Sequence, residues 1–285
     1  MWTNWQHGSI AEVSPLLRRR VSFTAGLIVA SAIAWVLNLV LQISLRDSAI
    51  YSGFLLLAVV LGLTFFNARK KLAFLPLIRA STWLQIHIYA GYFCFFVFLL
   101  HVHFSPPRGA LETVLAVVFC VVIFSGFFGI FISRFLPSRL LLSGEPLIYE
   151  RIPAYRREIQ TNVEALIRKA ETETQSSTLS DFYLGELRPF FQRLPGAFDA
   201  LGGIDRRVNR LLKQLTALNR YLDDAEKAIA AEMRDWIETA QNVHFQYAAQ
   251  RLLKLWLYVH IPFTYSLILL AFVHAALAII YAGRF

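Results

Sequence analysis

Long apolar runs dominate the chain, and five of them are long enough to be predicted as transmembrane helices. They cover about 21–45, 51–66, 83–104, 113–135 and 254–281. The hydrocarbon core of a bilayer is about 30 Å thick, and about 20 apolar residues in a helix cross it. Only helices and closed barrels satisfy every backbone polar group in lipid, so the pattern predicts an all-α, polytopic membrane protein.

Residues 137–253 interrupt the apolar pattern with a charged, helix-periodic block. Leu211, Leu215, Leu218 and Leu222 recur at near-heptad spacing, which is typical of a helix that buries one stripe. Glycines at 202–203 predict a turn between two such helices. The predicted organisation is an amphiphilic N-terminus over 1–20, four spans over 21–136, a coiled-coil-like helical insert over 137–253, and a fifth span with a short C-terminus over 254–285.

Composition and charge support the membrane assignment. Hydrophobic residues make up 56% of the chain and charged residues 16%, while the net charge is +9. The insert holds 16 Lys and Arg against 16 Asp and Glu, so the whole excess flanks the apolar runs. That is where topology signals lie, and a nucleic-acid-binding function is therefore excluded. Cys94 and Cys120 lie inside predicted spans, and the chain has no CxxCH motif for covalent haem attachment.

The basic residues also predict an orientation. Nine of them fall on one side of a five-span arrangement and three on the other, which places the N-terminus and the insert in the cytoplasm. The expected location is a bacterial-type inner (cytoplasmic) membrane. The cytoplasmic set is Arg18, Arg19, Arg20, Arg69, Lys70, Lys71, Arg79, Arg134 and Lys254, and the outer set is Arg46, Arg108 and Arg284.

Two of the predicted spans carry histidine pairs at the same interval. His87 and His101 are fourteen residues apart on the third span, and His260 and His274 are fourteen apart on the fifth. This interval returns to within roughly 40° of the same helix face, about 21 Å further along the axis. The third and fifth spans are predicted to run parallel, so His87 pairs in depth with His260, and His101 with His274.

Two imidazoles at each of two levels match the axial ligands of two haems. Zinc is disfavoured because it needs three or four converging ligands, whereas a six-coordinate haem iron takes one imidazole from each side. Gly91, Gly126 and Gly129 are predicted to leave room for the porphyrins, and the cations Arg79 and Arg108 are candidates for their propionates. His103 lies roughly 200° around the helix from His101 and is not predicted as a ligand. The first two spans are expected to be structural.

This histidine pattern resembles that of the dihaem membrane cytochromes b, in which four histidines on two helices hold two b haems. The resemblance covers the third to fifth spans and implies ligand roles for His87, His101, His260 and His274. It implies an electron-transfer subunit of a quinone-linked respiratory oxidoreductase rather than a stand-alone enzyme. The implied partners are quinone and another redox subunit, a multihaem c-type cytochrome or an iron–sulfur protein. No catalytic residue is assigned.

Two alternatives stay open. Ferric-reductase-like proteins also carry paired histidines on parallel third and fifth spans, and they suggest a transmembrane reductase core. This chain lacks the sixth span and the flavin and nicotinamide domains of those reductases. The other alternative is a non-redox membrane scaffold whose insert recruits partners, with the histidines serving only as hydrogen-bonding groups between helices.

Overall fold

A computed structural model describes residues 15–44, 47–65, 79–142, 147–174 and 177–282, and these ranges are helical with short turns and no strand. The all-α fold class is therefore confirmed. The amphiphilic segment 1–14 lies outside the described residues. So do several of the charges that predict the orientation: Arg46, Arg69, Lys70, Lys71 and Arg284.

Nine α-helices follow one another along the described chain. They are α1 (Pro15–Ile43), α2 (Ser48–Thr64), α3 (Ala80–His101), α4 (Ala110–Leu142), α5 (Ile152–Thr174), α6 (Thr178–Phe182), α7 (Arg188–Gln192), α8 (Gly203–Leu218) and α9 (Asp224–Ala282). Short 3-10 turns occupy Tyr149–Arg151 and Ala197–Leu201, and a π-helical turn occupies Tyr183–Leu187.

Four of these helices are long and apolar enough to cross a membrane. In three of them the candidate stretch covers Leu17–Ile43, Ser81–His101 and Ala110–Pro137. The fourth is α9, whose apolar half begins near Lys254. The predicted second span forms the apolar helix α2, which has 17 residues. The structure thus shows four candidate membrane-spanning helices in the described chain where the sequence predicts five spans.

Helix α4 does not end at Pro137, where the sequence places the end of the fourth span. It continues through this proline to Leu142. A proline inside a helix removes one backbone hydrogen bond, and tertiary contacts on both sides hold the helix together here. Leu136 is fully buried, and Arg139 pairs with Asp205 and lies 4.5 Å from the ring centroid of Phe245.

The described chain divides into two compact units, and the boundaries between them fall inside α4 and α9. Unit 1 comprises residues 1–127 and 260–285, and unit 2 comprises residues 128–259. In unit 1, α3 packs against α1 and α2. A second apolar contact joins α2, α3, α4 and α9 through Val60, Cys94, Phe119, Ile123 and Leu267.

Unit 2 is a helical domain whose core includes Leu211, Leu215 and Leu222 of the leucine stripe that the sequence predicts to be buried. Val163 on α5, Val208 on α8, and Met233 and Ile237 on α9 are fully buried in one cluster. Gly202 makes the turn before α8 with a φ of 115°, a left-handed conformation that favours glycine. The polar half of α9 belongs to this core and runs without a break towards the apolar half.

One arginine ties three segments of unit 2 together. The Arg156 Nε donates to the His244 Nε2 at 3.0 Å, and its terminal nitrogen donates to the carbonyls of Phe191 (2.6 Å) and Arg193 (2.9 Å). Burial and the nearby Arg156 and Arg207 guanidinium groups lower the pKa of His244, in the polar half of α9, to about 3. His244 is therefore neutral at neutral pH and accepts the arginine's hydrogen bond.

Arg156→Lys should destabilise unit 2, because a lysine keeps the charge but loses the planar set of donors that reaches three acceptors. The expected loss is about 1.5–3 kcal/mol, the range for hydrogen bonds to charged groups. Hydrogen exchange on the full chain measures it as faster exchange over 152–174 and 188–251. Arg157→Lys is the matched control, since Arg157 is exposed on the same helix turn. Equal exchange in the two variants would contradict this role of Arg156.

Candidate functional site

The structure brings His101 of α3 and His274 of α9 into a facing pair. Their ring centroids are 6.2 Å apart and their planes are nearly perpendicular, at 84°. Two imidazoles bound on opposite sides of one metal atom, at metal–nitrogen distances of about 2.0–2.1 Å, would place their centroids about 6.3 Å apart. The separation of the two rings therefore fits two axial ligands of a single iron.

Hydrogen bonds set the tautomer of His101. Its Nδ1 lies 3.0 Å from the Ala49 carbonyl oxygen of α2 and 3.4 Å from the Ser52 Oγ. A carbonyl oxygen only accepts, so the proton is on Nδ1 and the lone pair is on Nε2. Metal-bound histidines make this arrangement, because the bond from the second nitrogen fixes the ring and raises its basicity as a ligand.

The same logic applies to His260 at the second level. Its Nδ1 lies 2.8 Å from the Ser125 Oγ of α4, and this hydroxyl donates its own proton to the Val122 carbonyl at 2.8 Å. The hydroxyl therefore accepts from the imidazole, which again leaves the lone pair on Nε2. Ser125 lies in the SGFFG segment of α4, one residue before Gly126.

His87 completes this second level. It lies within electrostatic range of His260. The structure thus places the His101 ring of α3 beside the His274 ring of α9, and His87 of α3 near His260 of α9. Each pair joins α3 to α9.

Glycines lie beside two of the four rings. A Cβ added to Gly53 of α2 would lie 3.0 Å from the Cε1 of His101, and one added to Gly126 would lie 3.8 Å from the Cε1 of His260. In α3, Gly91 has open space around the equivalent position. In unit 2, Gly129 allows a close approach of the Trp256 indole, because an added Cβ would overlap that ring.

The remaining predicted residues lie at the helix ends. Arg79 is exposed just before α3 begins, and Arg108 is exposed in the turn that precedes α4. His103 follows the end of α3 in a left-handed conformation, with a φ of 50°. Its Nε2 is 3.1 Å from the Ser48 Oγ of α2, so its ring is held by that helix and not by the His101–His274 pair.

Sequence reasoning missed the part that α2 plays in the site. Ala49, Ser52 and Gly53 all contact His101, although the first two spans were expected to be structural only. Ser48 and Ser52 are buried in an apolar helix and lie four residues apart, which places them on one face. Polar side chains inside an apolar membrane helix cost free energy to bury, so Ser48 and Ser52 are the sequence feature that could have indicated a role for α2 in the site.

Several general properties of the site limit its chemistry. No group of three or more His, Cys, Asp or Glu side chains is placed to hold a metal ion in the part of the chain that the structure describes. The histidines lie in pairs, which suits a cofactor that supplies the other ligands of its own metal, as a porphyrin does.

Comparison with protein-family models, curated proteins and solved structures finds no match to this chain.

Gly53→Val should displace the His101 ring, because the added side chain meets it at less than ordinary contact distance. If the native chain holds two haems, the expected result is one haem per purified variant chain, measured by acid–acetone extraction and counting. Gly62→Val is the matched control on the same helix, where an added Cβ meets nothing within 4 Å. If both variants kept two haems, or both lost one, the contact between Gly53 and His101 would not explain the result.

Proposed function

We propose that the protein is a dihaem b-type cytochrome that carries electrons across the membrane. The observation that carries the proposal is the His101–His274 pair, whose ring centroids lie 6.2 Å apart between α3 and α9. On the same two helices, His87 lies within electrostatic range of His260. At both levels, hydrogen bonds to α2 or α4 orient the rings.

The chain's own residues would hold the cofactors and keep them apart. His87 and His260 would be the axial ligands of one haem, and His101 and His274 those of the other. The two levels are about 21 Å apart along the helix axis. Two haems at these levels would form a series of two redox centres that spans most of the bilayer core. Bound haem supplies one-electron chemistry, and the protein supplies the ligands, their orientation and an apolar surrounding.

We further propose that the chain is a subunit of a respiratory electron-transfer complex in a bacterial-type inner membrane. It would work between quinone and a protein redox partner such as a multihaem c-type cytochrome or an iron–sulfur protein. Unit 2, which the basic-residue count assigns to the cytoplasm, would be on the inner side. Reduction of the purified protein by a quinol supports this assignment, whereas reduction only by a flavoprotein donor supports a ferric-reductase-like core.

Histidine substitutions should remove the haems in pairs. His87→Ala and His260→Ala should delete the same haem, and His101→Ala and His274→Ala the other, because a porphyrin cannot span the roughly 21 Å between levels. Each variant should retain one haem per chain and one set of b-type bands in the reduced-minus-oxidised spectrum. His103→Ala is the matched control, since His103 contacts Ser48 and should leave both haems in place.

The pattern of losses is more informative than the total. Loss of the same haem in His87→Ala and His274→Ala would contradict the pairing, since those residues lie at different levels. A native chain that contains one haem or none would falsify the dihaem proposal directly. Retention of both haems in all four variants would assign the histidines a purely structural role.

Ser125→Ala should raise the midpoint potential of one haem while both haems remain bound. The Ser125 hydroxyl accepts a hydrogen bond from the His260 Nδ1, which would make His260 a stronger electron-pair donor to iron and favour the ferric form. If the loss of this hydrogen bond weakens the preference for the ferric form tenfold, the midpoint potential rises by about 59 mV for a one-electron couple. Potentiometric titration with optical detection measures the shift.

The matched control for Ser125→Ala lies on the same helix. Ser133 also donates to a carbonyl three residues earlier, that of Ile130, and it is exposed in unit 2. Ser133→Ala should leave both potentials unchanged. Equal shifts in the two variants would show that the helix, and not the bond to His260, determines the change.

A further inference from the structure

Unit 2 exposes apolar side chains at the level where α9 changes from polar to apolar sequence. Leu194 is 51% exposed and Phe198 is 61% exposed, and both belong to the loop between α7 and α8. Ile148, just before the 3-10 turn at Tyr149, is 57% exposed. Exposed apolar side chains that gather in one region, rimmed by polar residues, mark a surface that binds a protein or a membrane.

Contacts fix both segments at this level of α9. Arg251 donates to the Pro195 carbonyl at 3.3 Å, and Gln250 donates to the Leu147 carbonyl at 3.0 Å. Lys254 lies 3.6 Å from the centroid of the Tyr149 ring. These partners lie within four residues of one another on α9, or about 6 Å of helix axis, immediately before its apolar half.

The loop that carries Leu194 and Phe198 is rigidly held. Pro195 is fully buried, and the Asp199 carboxylate accepts from the Gly196 backbone N–H at 2.8 Å. Arg156 holds the Arg193 carbonyl at the start of the loop. The backbone that carries Leu194 and Phe198 is therefore held in place by these contacts.

The surroundings of these side chains are those of a bilayer surface. Arg251 and Lys254 supply cations at this level, Arg193 lies two residues before Pro195 in the chain, and Tyr149 stacks on Tyr247 with ring centroids 5.2 Å apart. Aromatic rings and basic residues concentrate where a membrane-spanning helix leaves the hydrocarbon core. Basic residues beside a bilayer attract anionic lipid headgroups.

We propose that Ile148, Leu194 and Phe198 form an interfacial collar that seats unit 2 in the headgroup region of the bilayer. The apolar side chains enter the boundary between headgroups and acyl chains, and Arg193 and Lys254 contact anionic lipid phosphates. The occupant of this surface is lipid, not a second protein. The collar does not depend on haem binding, because it follows from the contacts of unit 2 with α9.

Lipid photo-crosslinking tests the collar on the native chain. The protein is reconstituted into liposomes that contain a phospholipid with a photoreactive diazirine near its headgroup, illuminated and digested with trypsin. Cleavage after Arg193 and Arg206 releases one peptide, Leu194–Arg206, which should carry several-fold more lipid adduct than the control peptide Tyr221–Lys227. Tyr221 is 79% exposed but precedes the start of α9, roughly 45 Å of helix axis from Lys254.

The outcomes of this experiment separate the parts of the proposal. Equal labelling of the two peptides, or no labelling of Leu194–Arg206, would overturn the collar. An anionic photoreactive lipid should label Leu194–Arg206 more than a zwitterionic one. Equal yields from the two lipids would overturn the role of Arg193 and Lys254.

Spin labels give a second measurement that does not depend on crosslinking. A nitroxide at Phe198→Cys in liposomes should collide more often with dissolved oxygen, which concentrates in lipid, than with a water-soluble nickel chelate. A nitroxide at Tyr221→Cys should show the opposite preference, and the native chain corrects for Cys94 and Cys120. An aqueous profile at position 198 would overturn the proposal, and so would shielding from both reagents, which indicates a protein contact.

Discussion

The arrangement of unit 1 depends on the need to satisfy polar ring nitrogens inside apolar helices. An imidazole in a bilayer core must find hydrogen-bond partners, because water is absent and an unmet polar group is costly. His101 finds the Ala49 carbonyl and His260 finds the Ser125 hydroxyl, and each bond places the free lone pair on Nε2. The bonds that make burial tolerable therefore also leave Nε2 as the nitrogen that carries the lone pair in both rings.

Side-chain size acts together with this hydrogen bonding. Gly53 allows α2 to approach the His101 ring closely enough for the Ala49 carbonyl to reach Nδ1, and a Cβ there would be tighter than ordinary contact. On α4, the hydroxyl of Ser125 serves His260 as the Ala49 carbonyl serves His101, and an added Cβ at Gly126 would lie at ordinary contact distance from the His260 ring. Helices α2 and α4, which carry none of the four paired histidines, thus hold the histidine rings of α3 and α9.

Much of this arrangement could be predicted from sequence, and the remainder could not, for definite physical reasons. The equal interval between the histidines is a property of a single helix and fits parallel and antiparallel neighbours alike. The pairing of His87 with His260 and His101 with His274 was therefore predicted from the parallel direction of the third and fifth spans, not from the interval. The contact of Ala49 with His101 depends on which helix packs next to α3, and no periodicity contains that information. The continuation of α4 beyond Pro137 depends on Arg139 and its partners Asp205 and Phe245, which are distant in sequence. Periodicity identified the core of unit 2 because burial on one helix face is local, whereas the reach of Arg156 to Phe191 and His244 is not.

The two units solve the problem of burying polar groups in opposite ways. In unit 2, Arg156 brings a permanent charge against backbone carbonyls and a neutral His244, which is tolerable because its donors are met and the aqueous phase is near. In the apolar helices of unit 1, the partners of His101 and His260 are the Ala49 carbonyl and the hydroxyls of Ser52 and Ser125. A charge there would have no solvent to offset its transfer cost. This difference explains why serine, alanine and glycine surround the histidines while arginine supports unit 2, and why cations such as Arg251 and Lys254 collect where α9 passes from one environment to the other.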